Sequence, residues 1–512
     1  MENTFYVTTP IYYVNDLPHI GHAYTTIAAD TLARYHRLLG ARVFFLTGTD
    51  EHGQKIQEAA DKRNVTPQLH CDEMVVRFQD LWKRLTISHD DFIRTTEERH
   101  KTIVQEILSN LYKKGDIYKA SYEGWYCVPD ERFWTEKDLI EGCCPECGRT
   151  VQQIKESNYF FRMSKYQQWL VRYIEDHENF ILPKTRRNEI LGFLRQPLED
   201  LCISRPRKRL SWGIPIPFDS DYVTYVWFDA LINYVSAPGY LKDNGRFFPF
   251  WKNATHLIGK DILTTHSIYW PTMLKAMGLE PPRMVFAHGW WTIEGQKMSK
   301  SLCNVVEPTM LTEKYGADAI RFFLLREGAF GLDSNFSHRA LVHRINSDLA
   351  NDLGNLLNRS LAMTIKYFNG RIPTPLNYEG IDEKLQEKAV QVVEKVNSHM
   401  ETIAFHKALD SIWELVGMTN KYIDETAPWS LAKDKNKQSR LATVVYSMIE
   451  SLRFIAIVLF PFIPSSAEKM WEALGMKGKL SQQRLESIGS WGKLATGTVV
   501  TKIPPLFPRI EK

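Results

Sequence analysis

The stretch from Thr4 to Gly53 constrains the fold most: "TFYVTTPIYYV", then "TTIAADTLARYHRLLG", then "ARVFFLTGTDEHG". A short apolar run, an amphipathic run ended by Gly40 and a second apolar run entering a polar loop predict strand, helix, strand. That order is the βαβ unit of a parallel sheet with helices over its faces. The alternation stops near Lys114 and resumes with "YVTYVWFDALINYV", "ATHLIGKDILTTH" and "RMVFAHGWWTIEGQKMSKS". One α/β domain interrupted by an insertion is therefore expected. Past Ser337 the strand signals fade. In "INSDLANDLGNLLNRSLAMTIKYF", Ile345, Leu349, Leu353 and Leu356 share one helical face, and "IDEKLQEKAVQVVEKVNSHM" is helical as well. These runs predict a C-terminal helical bundle. The expected divisions are 1–114 and 221–337 for the two halves of the α/β domain, 115–220 for the insertion and 338–512 for the bundle.

Composition enters where it excludes alternatives. The net charge of +4 over 512 residues is too small to imply a nucleic-acid partner by itself, so such a partner has to be read from local features. Met1 to Tyr6 has neither the basic start nor the apolar run of a secretory leader. The most apolar late segment, "LATVVYSMIESLRFIAIVLFPFIP", contains Glu450 and Arg453 and is broken by Pro461. It reads as a buried helix, not a membrane span. The seven cysteines are odd in number, and Cys143, Cys144 and Cys147 crowd together. That pattern suits a metal better than disulfides and predicts a reducing, cytoplasmic setting.

Two short motifs carry chemistry. "PHIGHAY", residues 18 to 24, lies where a strand hands over to a helix. In open α/β sheets ligands bind beyond the carboxyl ends of strands, and a helix start offers N–H groups to phosphate. Gly21 allows a ligand close approach to the backbone. His19 and His22, three apart, project to one side and offer donors to charge growing on a phosphoryl group. "GQKMSKS", residues 295 to 301, places Lys297 and Lys300 on a glycine-containing loop, where they can clamp a triphosphate as its charge develops.

Taken together and in this order, "HIGH" and "KMSKS" resemble the signatures of a class I aminoacyl-tRNA synthetase. "TTPIYYVNDLPHIGHAYTTIAAD", "FLTGTDEHGQKI", "YVWFDALINY", "HLIGKDILTTHSIYWP" and "EGQKMSKS" extend the resemblance to the methionyl-tRNA synthetase family over nearly the whole chain. The resemblance implies a Rossmann-like catalytic domain, a connective insertion with a zinc-knuckle-like element and an all-α anticodon-binding domain. The activity it implies is ATP-dependent activation of methionine followed by transfer to elongator and initiator tRNA(Met), with Mg²⁺ accompanying ATP. Catalysis would fall to His19, His22, Lys297 and Lys300, and ATP would meet His19, Gly21, His22 and Lys300. Two alternatives are another class I synthetase and a non-catalytic tRNA-binding relative.

Carried over residue by residue, the methionine pocket would comprise Ile11, Tyr13, Asp50, Trp227, Ala230, Leu231, Tyr234, Ile262, His266 and Trp270. A polarizable thioether favours such aromatic surroundings, and Asp50 would hold the ammonium group. Leu231 stands where the family often has proline. The short insertion leaves no room for a full editing domain. In the knuckle the second metal-ligand pair is Cys144 and Cys147. The first is Cys127 and Asp130, where the usual pattern has two cysteines, and Cys143 is an alternative to Asp130 as a Zn²⁺ ligand. The anticodon would be read by Asn355, Arg359, Pro428 and Trp429, with Trp429 stacking on a base. "SRPRKRL", residues 204 to 210, is either a contact for acceptor-strand phosphates or a solvated run. The chain ends soon after "PPLFPRIEK" without the β-barrel that some relatives use to dimerise, which favours a monomer.

Overall fold

The computed structural model describes residues 3–127, 132–134, 136–145, 147–293, 296–297, 306–488 and 490–511. Six strands form an all-parallel sheet: β1 (Thr4–Tyr13), β2 (Arg42–Asp50), β3 (Asp91–Arg94), β4 (Ile181–Leu182), β5 (Ala254–Gly259) and β6 (Met284–His288). Their spatial order is β3-β2-β1-β5-β6-β4. The strands are largely apolar because both faces of the sheet are covered, and the charges of β2 and β3, Arg42, Asp50, Asp91 and Arg94, stand at strand ends. Side chains alternate between the faces. Phe5, Val7, Phe45, Leu257 and Phe286 join one core, and Tyr6, Phe44, Leu46, Ile258 and Val285 join the other. From β1 the chain steps outward to β2 and β3, and it later returns to place β5 on the other side of β1. The topological switch point therefore lies between β1 and β5, where such sheets open a crevice at their carboxyl ends.

The segment expected to be wholly insertion contains β4, which pairs with β6 at the sheet edge. A two-residue strand carries no periodicity that a sequence reading can detect. The rest of that segment folds chiefly around an antiparallel sheet of Arg132–Trp134, Ile117–Cys127, Gln152–Phe161 and Leu201–Cys202.

Two helices link the sheet to the C-terminal part: α1 (Ile20–Leu38) after β1, and α2 (Ala317–Arg326). The C-terminal part is helical, built on α3 (Asn355–Phe368), α4 (Gly380–Glu401), α5 (Phe405–Thr426) and α6 (Gln438–Leu459). Helix α6 is the apolar run containing Glu450 and Arg453. It is long and apolar enough to cross a membrane, yet it is buried on every side within the protein. A helix apolar all round is a core helix when others surround it. Glu450 and Arg453 pair with each other through two 2.7 Å contacts, and Glu450 also accepts the Gly492 N–H at 3.0 Å. Ile345, Leu349, Leu353 and Leu356 are all buried. The turns from Ile345 to Gly354, however, are π-helical, not α-helical. The first core does not stop at the sheet: it runs through α1 and α2 into the bundle, joining Ile27, Phe323, Leu353, Leu409 and Leu452.

A buried ion cluster sits on this junction. Asp30 of α1 and Arg321 of α2 have no exposure and meet at 2.7 Å. Asp30 also takes Arg34 Nε at 2.8 Å and the Ser88 N–H and hydroxyl at 2.7 and 2.6 Å. Arg321 donates to the carbonyls of Phe462, Pro461 and Leu85 at 2.8, 3.0 and 3.2 Å. Burial alone would raise the Asp30 carboxyl; Arg34 and Arg321 outweigh it and bring it down to about 2. Removing one partner of a buried pair leaves the other charge stranded. Arg321→Met is therefore expected to cost about 3–5 kcal/mol in urea unfolding. A loss below about 1 kcal/mol, the size of an exposed pair, would show the cluster to be dispensable.

Candidate active site

A cavity of about 980 Å³ opens at the carboxyl ends of β1 and β5, at the switch point. Local sequence explains how its walls are aimed. The pairing of β1 with β2 shifts register between Thr8 and Ile11, around Pro10, which has no N–H to give to the ladder. Beyond the shift, Ile11 and Tyr13 line the cavity. Asp50 ends β2 in register with Tyr13 and lines it too.

His19 is the N-cap of α1 and His22 its third residue. The pair forms a capping box from two imidazoles. Gly21 N–H donates to His19 Nδ1 at 3.1 Å, and His19 N–H donates to His22 Nδ1 at 3.2 Å. The rings stack with centroids 3.7 Å apart. With Nδ1 accepting, each neutral ring carries its proton on Nε2. Burial first, and His19 second, push the His22 imidazole well below its ordinary range, so it is neutral at physiological pH. A Cβ at position 21 would lie 3.0 Å from His19 Cε1, so Gly21 also makes room for the stacked ring. His19, Gly21 and His22 all line the cavity.

The opposite wall is the short helix Val226–Leu231 and the turn after it. Trp227, Ala230, Leu231 and Tyr234 line the cavity from there. Ile262 and His266 complete this end, His266 from a single widened π-helical stretch, Thr265–Tyr269. Such turns recur at functional sites because they re-aim a side chain. His266 Nδ1 faces the Ile262 carbonyl at 3.0 Å, so it donates there and leaves Nε2 to accept the Tyr234 hydroxyl at 2.8 Å. Burial pushes the His266 imidazole down to about 4. Trp270 is placed differently from its expected neighbours. It does not line the cavity. It is fully buried behind Tyr234, with ring centroids 5.9 Å apart, and donates to His256 Nε2 at 3.2 Å.

Sequence reading missed the far end of the cavity, formed by Gly259, Asp261, His288, Gly289 and Trp290. His288 ties β6 to α1 through Thr25 Oγ1 at 2.7 Å. Trp290 Nε1 donates to Asp261 Oδ1 at 3.0 Å, and Lys260 lies over the Trp290 ring while pairing with Asp333 at 2.6 Å. A Cβ on Gly289 would fall 2.2 Å from the Leu332 backbone. The signal was present: "GKD" and "HGW" are glycines at strand ends, the same feature that exposed "PHIGHAY". Lys55 also lines the cavity and was missed. Of the KMSKS lysines, only the Lys297 backbone is described, pairing with Thr292; its side chain and Lys300 lie outside the described residues.

Elsewhere, Cys127, Cys144 and Cys147 bring three sulfurs within 4.8 Å of one another, and Cys127 and Cys147 are 3.5 Å apart. That is too long for a disulfide. It is close to the ~3.8 Å separation of sulfurs 2.3 Å from a tetrahedral zinc. Cys143 is outside this group, and Asp130 lies outside the described residues. In the bundle, Asn355 is exposed at the start of α3. Arg359, one turn on, pairs with Asp424 in the last turns of α5 at 2.6 Å. Helix α5 ends at Ala427, in left-handed conformation, before the short helix Pro428–Leu431. Pro428 is buried there, while the Trp429 indole is 42% exposed.

Comparison with known proteins fits this geometry. A family model described as "tRNA synthetases class I (M)" matches residues 5–155 and 148–361, and one for the anticodon binding domain of methionyl tRNA ligase matches 372–512. The methionine–tRNA ligase of Caldanaerobacter subterraneus is 52% identical over 512 residues, covering 100% of this chain and 80% of that protein. That of Bacillus subtilis is 48% identical over 527 residues, covering 100% and 78%. The structure of Mycobacterium tuberculosis methionyl-tRNA synthetase with methionyl-adenylate superposes with a TM-score of 0.94 at 41% identity, covering 99% of this chain and 100% of that one. A switch-point cavity walled by an imidazole-capped helix, joined to an anticodon-binding bundle, thus places this chain in the methionyl-tRNA synthetase family of class I synthetases.

Proposed function

We propose that the switch-point cavity is where this methionine–tRNA ligase forms methionyl-adenylate. The methionine side chain would lie against Trp227, Ala230, Leu231, Tyr234, Ile262 and His266, with its ammonium on Asp50 and ATP toward Gly21, His288 and Gly289. The observation that carries the reading is the convergence of these groups on one cavity from β1, β2, β5 and β6. The methionine carboxylate attacks the α-phosphorus of ATP, forming the acyl–phosphate bond as the bond to pyrophosphate breaks. The tRNA terminal hydroxyl then takes the methionyl group and AMP leaves. No enzyme nucleophile is needed, so positioning and preorganised donors supply the rate. The Nε2–H groups of His19 and His22 are such donors, already fixed by their Nδ1 contacts. A neutral His22 adds no charge to be desolvated.

Mg²⁺ enters the proposal as the counter-ion that ATP brings. Zn²⁺ would be held by Cys127, Cys144 and Cys147 with Asp130 as the fourth ligand, a closed site that stiffens the insertion. Lys297 and Lys300 are assigned to the pyrophosphate. Asn355, Arg359, Pro428 and Trp429 are assigned to the anticodon of elongator and initiator tRNA(Met), and the protein is proposed to act as a cytoplasmic monomer.

ATP–pyrophosphate exchange without tRNA is expected with methionine and not with the other amino acids, and exchange with a different amino acid would overturn the pocket. His22→Ala is expected to lower that exchange at least 100-fold at an unchanged melting temperature. Trp429→Ala should leave exchange within about twofold while reducing tRNA charging by about 10-fold or more, the worth of one stacked base. Equal loss of both would remove Trp429 from the anticodon. His266 should show an Nδ1–H tautomer and no titration by NMR between pH 5 and 8. Its folded value lies below the unfolded 6.5, so its stability contribution is full above about pH 6.5 and is lost as pH falls toward 4. A midpoint near 6.5 in the folded protein would contradict the Tyr234 contact.

A further inference from the structure

One buried cluster beside the cavity has no part in the chemistry above. Asp229, on the wall helix Val226–Leu231, has no exposure. Its Oδ2 lies 2.6 Å from His52 Nδ1 and its Oδ1 2.7 Å from His100 Nε2. Both imidazoles are buried as well. The other nitrogen of His100 meets Ser236 Oγ at 2.9 Å. Burial would raise the Asp229 carboxyl, but the two imidazoles outweigh it and the net shift is downward, so Asp229 is a carboxylate. A carboxylate only accepts, so both imidazoles donate to it.

The three residues come from three places. His52 is in the loop just past Asp50. Asp229 sits between Trp227 and Ala230. His100 is in the helix Glu98–Lys113 behind the wall. The loop and the wall also touch at Gly53, which has φ of +109°. A Cβ there would fall 2.4 Å from Tyr13 Oη and 2.5 Å from Val226 Cγ2. Tyr13 donates its hydroxyl to the His52 carbonyl at 2.8 Å. The wall helix is tied further by Asn233 Nδ2 donating to the Ala230 carbonyl at 2.6 Å.

A buried carboxylate is costly unless fully paired, and its loss would be felt where its partners are joined. Two elements meet across the clasp: the loop that follows directly on Asp50 and the helix that carries Trp227, Ala230 and Leu231. The nucleotide end of the cavity is built from α1, β5 and β6, none of which supplies a residue of the clasp.

We propose that Asp229 is a positioning residue for amino-acid binding: through His52 and His100 it fixes the spacing between the ammonium-binding Asp50 and the apolar wall that receives the side chain. This rests on the reading of the cavity as the methionine and ATP site.

The test is steady-state ATP–pyrophosphate exchange on full-length Asp229→Asn. An amide has one acceptor oxygen, so only one imidazole can go on donating; the other faces the NH₂ group and must give up the contact or turn over to its opposite tautomer, which breaks the bond its other nitrogen makes. The expected result is a KM for methionine raised at least 10-fold, with the KM for ATP within about twofold and kcat within about threefold. A rise in both KM values, or an unchanged methionine KM, overturns the proposal. If the melting temperature shows that Asp229→Asn does not fold, His100→Gln, which opens only the outer arm, decides by the same split, with an expected 3- to 5-fold rise for methionine alone. Asp50→Asn runs alongside: if it leaves the methionine KM untouched, the pocket reading itself fails, whatever Asp229 does.

Discussion

The guanidinium of Arg321 is enclosed between the helix capped by His19 and His22 and the helical bundle. Taking such a charge out of water costs several kcal/mol after relaxation. The cost is offset only because every side of the group is met, by Asp30 on one side and by three backbone carbonyls on the others. Asp30 is in turn held by Arg34 and Ser88. Helix α1 is thereby pinned at its middle, and the Thr25–His288 contact pins its first turns to β6. The imidazole cap that opens into the cavity inherits its position from both. Geometry at the helix start is set by contacts in the helix body, and the Arg321 that holds Asp30 is itself held by the Pro461 and Phe462 carbonyls of the helical bundle.

In and behind the cavity wall the recurring electrostatic device is the neutral histidine. His22, His256, His266 and His288 all have burial as the first cause of a lowered pKa. In each the second nitrogen is already committed, to a backbone group or to a hydroxyl. His256, His266 and His288 have the other nitrogen engaged as well, with Trp270, Tyr234 and Thr25, so each is locked in place and holds its neighbours with no rearrangement when the substrate arrives. That is preorganisation in the sense that matters for a reaction with no covalent bond to the enzyme.

Much of this was legible in the sequence, and the illegible parts share a cause. Strands β1, β2, β5 and β6 announce themselves because burial on both faces makes them continuous apolar runs. Ile11, Tyr13, Asp50 and His266 are named together through the resemblance to a family, and the structure brings all four to the one cavity. Strand β4 does not announce itself, since two residues have no period. The π-helical turns at Ile345–Gly354 and Thr265–Tyr269 look like ordinary helix until backbone geometry is seen. Trp270 has the right type and spacing for a pocket wall, but its indole N–H is claimed by His256 and it packs behind Tyr234 instead. The His52–Asp229–His100 clasp is invisible in one dimension because its members are far apart in sequence and each alone reads as a loop or core residue.

The core that begins on one face of the sheet and continues through Phe323 and Leu353 to Leu452 has a consequence for how such a protein can change over time. A bundle joined by an exposed linker behaves as a cassette: it can be exchanged, duplicated or lost while its neighbour stays folded. Here each half is part of the other's interior. Severing them would expose apolar surface on both, and grafting a foreign bundle would require matching volumes along α1 and α2 at the same time. Substitution within either half is therefore constrained by packing in the other, and the two are bound to drift as a single inherited unit.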